Sequence, residues 1–424
     1  MRTILVQRRN HRDSSNLGEL ASLAEAAGYR VEGRIEQTRR ADARLQIGRG
    51  KARELAEMAE RVKADKVIFD NALTPSQAYN LAKIAGVEII DRFQLILEIF
   101  SKRASTREAK LQIRLAKLRH QLPRAREMVR LARMEERPGF LGLGTYEVEV
   151  YCEDIKRQIH RIRQDLRQIR GQRRLHRDRR TALGFPLVSL AGYTNAGKTS
   201  LFNTLTGESK SVDIGVFTTL STTTRAIDLE GGKVLITDTV GFIDRLPLAL
   251  VEAFLSTLEE TSLSNAIILL LDFHESVDEI KRKLSCSLDT LNEIGAGGIP
   301  IVTALNKIDL LTPDEVAERL SHVLDLAPNP LLISARTGRN LDQLGRRVAR
   351  FLGDVFTLIF SLPLTEASIS FVSDLHRRVH SVDTIYNGNE VQIKLRAFRW
   401  LIEEIAGEVE KRQGTLLVAQ PPVM

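Results

Sequence analysis

The chain has 424 residues, 43% of them hydrophobic and 27% charged; both fractions lie near the globular norm and exclude wholesale disorder and a fibrous protein. At about 150 residues per domain, this length predicts two to four domains. Lys and Arg number 62 against 54 Asp and Glu, a formal net charge of +8, and the surplus is concentrated in one block. Between Lys102 and Arg180 there are 23 basic and 10 acidic residues, a net of +13, which leaves −5 for the rest. Such a block points to a polyanionic partner, nucleic acid above all, with a solvated charged helix face as the alternative. Cys152 and Cys286 are the only cysteines and lie far apart, so neither a disulfide framework nor a zinc site is expected. The opening MRTILVQRRN has too short an apolar run for a signal peptide. The longest apolar stretches, such as AIILLL at Ala266–Leu271, fall far short of a membrane span. A monomeric cytoplasmic protein is expected.

Residues 1–100 read as a small α/β domain. TILV at Thr3–Val6, KVIF at Lys66–Phe69 and VEII at Val87–Ile90 have the pattern of buried strands. Glu19–Gly28 and Ser76–Gly86 have the pattern of helices ending at glycine. The segment IGRGK at Ile47–Lys51 is glycine-rich and basic, and reads as a turn rather than a phosphate contact. Residues 101–181 form the basic block. Leu111, Leu115, Leu118 and Leu122 repeat at heptad spacing, as do Ile155, Ile159, Ile162, Leu166 and Ile169, so a coiled-coil hairpin is predicted. Its tip, RPGFLGLG at Arg137–Gly144, is rich in helix breakers. A basic hairpin with a pliant tip fits a probe for structured RNA, and equally a two-helix dimerisation element. Residues 182–353 alternate strand and helix as a doubly wound, mostly parallel sheet does. Residues 354–424 read as a small α+β domain, with SISFV and VQIKLR strand-like and LIEEIAGEVEKR helical.

Four ordered signals in the third domain carry chemistry. Gly192-Tyr193-Thr194-Asn195-Ala196-Gly197-Lys198-Thr199 matches the phosphate-binding loop, between a strand (LVSLA) and a helix (SLFNTLTG). Loop amides and the helix N-terminus would surround the phosphates, Lys198 would neutralise the β- and γ-phosphates, and Thr199 would offer its hydroxyl to Mg2+. The strand KVLIT delivers Asp238-Thr239-Val240-Gly241, which places a carboxylate in the metal's outer shell and the Gly241 amide beside the γ-phosphate. A third strand runs into Asn306-Lys307-Ile308-Asp309. Asp309 can accept from both N1–H and N2–H of guanine; adenine would leave the carboxylate unpaired. Lys307 would pack over the base and Asn306 would brace the loop. The backbone of Ser334-Ala335-Arg336 would cap guanine O6. These signals predict a GTP- and GDP-binding hydrolase. Within VFTTLSTTTR at Val216–Arg225, one threonine is expected to complete the magnesium shell when the γ-phosphate is present. Thr219 is favoured, with Thr224 the competitor.

The motifs GYTNAGKTSLFN (Gly192–Asn203), FTTLS (Phe217–Ser221), DTVGFIDRLP (Asp238–Pro247) and NKID together resemble the HflX family of ribosome-associated GTPases, in the Obg-HflX superfamily of the TRAFAC class. FDNALTPSQAYNL at Phe69–Leu81 and the stretch Asp91–Arg124 extend the likeness over nearly the whole chain. The resemblance implies an N-terminal α/β domain, a helical hairpin, a P-loop GTPase domain and a small C-terminal domain. It implies nucleotide contacts from Phe217, Thr218, Thr219, Leu220 and Ser221, with Thr219 as the magnesium threonine. It implies binding to the large ribosomal subunit and its RNA, with ribosome splitting or rescue under stress, the hairpin tip approaching the peptidyl-transferase region. An RNA-binding GTPase assisting large-subunit assembly, or acting as an RNA chaperone, is the competing reading. The tip GFLGLGTYEVEVY lacks the G-x-G-P-G-E-T of bacterial members, which points to an archaeal-type member, and the switch reads STTTR in place of D-P-T-T-R. Phe242 stands where many GTPases carry a water-orienting glutamine, so slow hydrolysis in isolation is expected. Asn195 is similar to the asparagine of potassium-stimulated GTPases, which adds K+ to the expected cofactors; a loop-shaping hydrogen bond is its other reading.

Overall fold

The computed structural model of the chain describes residues 1–11, 15–104, 106–135, 143–182, 185–207, 223–229, 232–239, 241–242, 261–379 and 381–420. These fall into two compact units, one up to Gln172 and one from Arg173 onward.

The first unit opens with four parallel strands: β1 (Arg2–Arg9), β2 (Arg30–Thr38), β3 (Lys66–Phe69) and β4 (Glu88–Asp91). Their order in the sheet is β2-β1-β3-β4, with crossover helices α1 (Leu17–Ala26), α2 (Arg49–Val62) and α3 (Pro75–Ala85). All four residues of β3 are buried, as an inner parallel strand requires. The ends of α3 follow from its sequence. Thr74 and Gln77 form a capping box, Pro75 sits in the first turn, and Gly86 closes the helix at φ +69°. Helix α4 (Arg92–Arg103) begins with a second capping box, from Asp91 and Gln94. It buries Leu95, Ile96, Leu97, Ile99 and Phe100.

Two long helices follow, α5 (Arg107–Glu135) and α6 (Leu143–Ala182). Leu115, Leu118 and Ala125 of α5 pack with Cys152, Ile155, Ile159, Ile162 and Leu166 of α6, and Leu111 and Leu122 border the seam. Each fully buried Leu or Ile contributes roughly 1.5–3 kcal/mol. Arg114 Nη2 donates to Gln158 Oε1 across the pair at 2.9 Å. Pro123 lies inside α5 and leaves one carbonyl of the preceding turn without its usual donor. The hairpin is anchored on the α/β sheet's helices: the His120 ring stacks on Phe93 at 4.6 Å, and Lys117 Nζ donates to Ser101 Oγ at 3.2 Å. Arg157, Arg161, Arg163 and Arg167 lie exposed on α6. The glycine-rich tip at 136–142 is outside the described residues.

The second unit is built on a six-stranded sheet ordered β10-β9-β8-β5-β7-β6. Its strands are β5 (Leu187–Gly192), β6 (Thr223–Leu229), β7 (Gly232–Asp238), β8 (Ala266–Asp272), β9 (Ile301–Asn306) and β10 (Leu331–Leu332). All pairs are parallel except β6 with β7. Helices α7 (Lys198–Thr206), α8 (Val277–Glu293), α9 (Pro313–Val323) and α10 (Leu341–Leu352) join them. Successive residues serve opposite faces. Ile268 and Leu270 enter one apolar cluster; Ile267, Leu269 and Leu271 enter the other. AIILLL is therefore a strand buried on both faces.

The rest of this unit is β11 (Val355–Pro363), α11 (Glu366–Arg378), β12 (Ser381–Asn387), β13 (Glu390–Phe398), α12 (Arg399–Lys411) and β14 (Thr415–Gln420). The βαββαβ order gives an antiparallel sheet, β12-β13-β11-β14, with its core against α11 and α12. SISFV is helical rather than extended. Thr365 caps α11 through the Ser368 amide, and Phe371, Val372 and Leu375 turn one helical face to the core. Phe398 inserts into the cluster of the parallel sheet and faces Gly232, and Trp400 borders both clusters. No helix among the described residues is long and apolar enough to cross a membrane.

Candidate active site

The candidate phosphate loop follows β5 because its backbone reaches conformations that only certain residues tolerate. Gly192 has φ +136° and lies against the Leu270 carbonyl, where a Cβ would collide. Asn195 and Gly197 take φ +64° and +94°. A Cβ on Gly197 would overlap Asn306 Nδ2. Gly197 caps α7 without a side-chain acceptor, and the first turn of α7 carries no acid. That helix end suits an anion.

Lys198 is buried, and its Nζ donates to the carbonyls of Gly192 and Tyr193 at 3.0 and 2.8 Å. Thr199 Oγ1 lies 3.2 Å from Asp238 Oδ2 at the end of β7. Thr239 Oγ1 donates to the Leu190 carbonyl at 2.5 Å and ties the two strand ends together. The Gly241 backbone passes so close that a Cβ there would lie 2.8 Å from Lys198 Nζ. The Phe242 amide donates to Gly192 O at 3.0 Å, and the Thr194 amide to Phe242 O at 2.9 Å. The first two signals therefore meet around one lysine.

The base-side residues gather around Asn306. Its Nδ2 donates to Ala196 O in the phosphate loop, and its Oδ1 accepts from the Ala335 amide, both at 2.9 Å. Lys307 has φ +70°, and its Nζ bonds Asp272 Oδ2 at 2.6 Å. Ser334 Oγ donates to Asp309 Oδ1 at 2.7 Å and accepts from the Thr337 amide at 3.1 Å. Arg336 is exposed beside them. Sequence reasoning missed Asp272 and the Ser334 hydroxyl as positioning groups. The signal for Asp272 was a carboxylate closing an apolar strand, but its value depends on the register that pairs Asp272 with Asn306.

Several expected contacts differ in what their side chains do. Tyr193 and Ile308 are buried in the apolar cluster with Phe242, so only their backbones line the loops. Cations of α8 lie over the Tyr193 ring, Lys283 at 4.8 Å and Arg282 at 5.7 Å. Thr224, the competitor for the metal, lies on β6 with its hydroxyl 2.8 Å from Thr237 Oγ1. Phe217, Thr218, Thr219, Leu220, Ser221 and Val240 lie outside the described residues. Among the described residues no cluster of three His, Cys, Asp or Glu gathers for a metal. A Thr199–Asp238 pair suits magnesium, which takes its remaining oxygens from phosphate and water.

Burial pushes the Lys198 ammonium down to about 8, opposed by the charge of Asp238. Bound phosphates favour the charged form and raise the value again. As pH rises through about 8 the nucleotide-free lysine loses its proton, so triphosphate binding there is expected to take one up. Affinity should then fall about tenfold per pH unit up to the lysine's ordinary range. Calorimetry in two buffers of different ionisation enthalpy checks this, and equal heats would contradict it.

Comparison with known proteins agrees along the chain. Family models match in succession: GTP-binding GTPase N-terminal at residues 14–101, GTP-binding GTPase Middle Region at 103–180, and 50S ribosome-binding GTPase at 187–307. The GTPase HflX of Methanocaldococcus jannaschii is 44% identical over 386 residues, covering 91% of this chain and 94% of the relative. That of Thermococcus kodakarensis is 45% identical over 346 residues, covering 80% and 78%. A GTP-binding protein from Sulfolobus solfataricus, crystallised with GDP, is 28% identical with a TM-score of 0.46, covering 83% of this chain and 98% of that one.

Proposed function

Because the chain belongs to the HflX family of GTPases, we propose that it works as a nucleotide switch on the large ribosomal subunit, splitting or rescuing ribosomes under stress. The chain hydrolyses GTP to GDP and phosphate. The ribosome reading rests on the hairpin. Its net charge of +13 falls on a segment whose two helices meet along an apolar seam, with Arg157, Arg161, Arg163 and Arg167 exposed beside it. That surface suits folded RNA, whose phosphates it would meet. The description of the GTPase-domain family as 50S ribosome-binding supports the same partner. Aromatics are only 5% of the chain, so backbone and shape recognition is favoured over base stacking.

In the proposed chemistry, Lys198 and the loop amides hold the β- and γ-phosphates, while water attacks the γ-phosphorus in line. Thr199, with Asp238 behind it and Thr219 from the switch, would hold magnesium. When bound, that ion supplies positive charge at the phosphoryl oxygens. The Gly241 amide follows the γ-phosphate. Asn306, Lys307, Asp309 and the Ser334–Arg336 turn select guanine. Phe242 is buried in the apolar cluster and offers nothing to the attacking water. Turnover by the isolated protein is therefore slow, and a partner that orders the switch accelerates it. Asn195 is exposed at the loop's rim, and no hydrogen bond from its side chain to a described residue pins it there. It is free to share a monovalent cation with the phosphates. Turnover in potassium should exceed that in sodium at equal ionic strength, and equal rates would remove this role.

Sucrose-gradient sedimentation separates this function from large-subunit assembly. Mature ribosomes incubated with the protein and GTP should shift into free subunits. Binding confined to immature large subunits, with mature ribosomes intact, would replace the splitting role with the assembly role.

A further inference from the structure

The Tyr193 ring is buried among apolar side chains of β8 and α8, yet two cations of α8 reach it. Lys283 Nζ lies 4.8 Å from the ring centroid and the Arg282 guanidinium 5.7 Å. We propose that Arg282 and Lys283 are positioning residues for nucleotide binding, which act by holding the Tyr193 ring and, through it, the phosphate loop. The proposal rests on the assignment of that loop and is independent of the ribosome.

Three observations carry it. The first is the state of the cations. The Lys283 side chain is 15% exposed and that of Arg282 30%. A cation largely out of water gains more over an aromatic face than an exposed one does. Each is also held by a carboxylate of its own segment. Lys283 pairs with Glu275, and Arg282 pairs with Glu279 through two bonds, Nε to Oε1 at 3.2 Å and Nη2 to Oε2 at 2.7 Å. The carboxylates offset the positive charge, so the two cations influence the phosphates through Tyr193 rather than by direct attraction.

The second is what Tyr193 holds in turn. Its carbonyl accepts from Lys198 Nζ at 2.8 Å. Its backbone forms a parallel bridge with Phe242, which follows Gly241. A shift at Tyr193 therefore moves the lysine that meets the phosphates and the chain end that leads to the Gly241 amide. A loop ordered before nucleotide arrives lowers the ordering cost of binding.

The third is the frame behind the cations. Residues 272–283 are tied to the base end of the same site. Asp272 bonds Lys307, the His274 amide donates to Asp272 Oδ1 at 3.1 Å, and the Phe273 amide donates to Asn306 O at 2.9 Å. Ser276 then caps α8 through the Glu279 amide. Arg282 and Lys283 thus reach the phosphate loop from a segment fixed by the guanine-side residues.

The test is a double-mutant cycle on the full chain, read as affinity for a fluorescent GTP analogue. Lys283→Met keeps the apolar stem and removes the charge. It should weaken binding about fivefold to thirtyfold. Tyr193→Leu keeps an apolar side chain in the cluster and removes the ring. In that background Lys283→Met should cost less than about twofold. Lys283→Arg restores a cation over the ring and should recover most of the loss. Equal losses in the two backgrounds would overturn the proposal, since the cation would then act without the ring. So would unchanged affinity in Lys283→Met, or a Lys283→Arg variant as weak as Lys283→Met. Should Lys283→Met fail to fold, Arg282→Met at the more exposed cation gives a second cycle with the same expected coupling to Tyr193→Leu. Lys198→Ala, measured alongside, separates the two claims. A loss there with none in Lys283→Met sinks this proposal alone. No loss in Lys198→Ala sinks the phosphate-loop assignment and this proposal with it.

Discussion

Lys198→Ala is expected to lower GTP affinity by a hundredfold or more, about 3 kcal/mol, because it removes a buried cation at the phosphate end of the site. Lys198 is already held by two backbone carbonyls, so little ordering cost is left for binding. Its burial excludes the water that would otherwise screen its attraction to the phosphates. The fold should survive, since Ala is a good helix former at the first position of α7 and the loop's turn is set by Gly192, Asn195 and Gly197. Titration with a fluorescent GTP analogue measures the effect. Affinity within a factor of three of wild type would refute the phosphate-loop assignment.

Asp309→Asn is the second large expected effect, and it concerns the base rather than the phosphates. The carboxylate is fixed by the Ser334 hydroxyl, itself held by the Thr337 amide, so its acceptor direction is set before nucleotide arrives. Guanine offers two N–H donors to such an acceptor. An asparagine presents one acceptor and one donor, and the donor faces guanine's amino group. Mismatched sites of this kind lose about three to four orders of magnitude in affinity. Xanthine replaces that amino group with a carbonyl, which the asparagine amide can satisfy, so xanthosine triphosphate should gain where GTP loses. Competition of both nucleotides against a fluorescent analogue checks this. A variant that keeps its guanine preference would place base recognition elsewhere.

The candidate site was legible because its chemistry is local. Each of the four signals is a short run at the end of a strand, and the parallel sheet aligns those ends without further instruction. What joins the runs was not legible. Asn306 contacts Ala196 and Ala335, 110 and 29 residues away, and Lys307 reaches back 35 residues to Asp272. Such pairs depend on register, which no single segment declares. The hairpin was visible in its heptads because each helix buries its stripe against the other. Strand β2 was not. RVEGRIEQT is an edge strand of mixed charge, and it buries only Ile35 outright. Gly33 looks like a breaker there, and the Met58 side chain of α2 packs where a Cβ would stand. SISFV misled through its alternation, which the Thr365 cap and the spacing of Phe371 and Leu375 override. The net charge of the whole chain was the least informative quantity, since it averages one strongly basic block against an acidic remainder.

Co-sedimentation of the full chain with ribosomes in GTP, GDP and a non-hydrolysable GTP analogue tests the central claim most directly. The protein should pellet with the large subunit in GTP and the analogue, and should be released in GDP. A protein that stays in the supernatant with all three, or pellets equally with all three, would contradict a nucleotide switch acting on the ribosome.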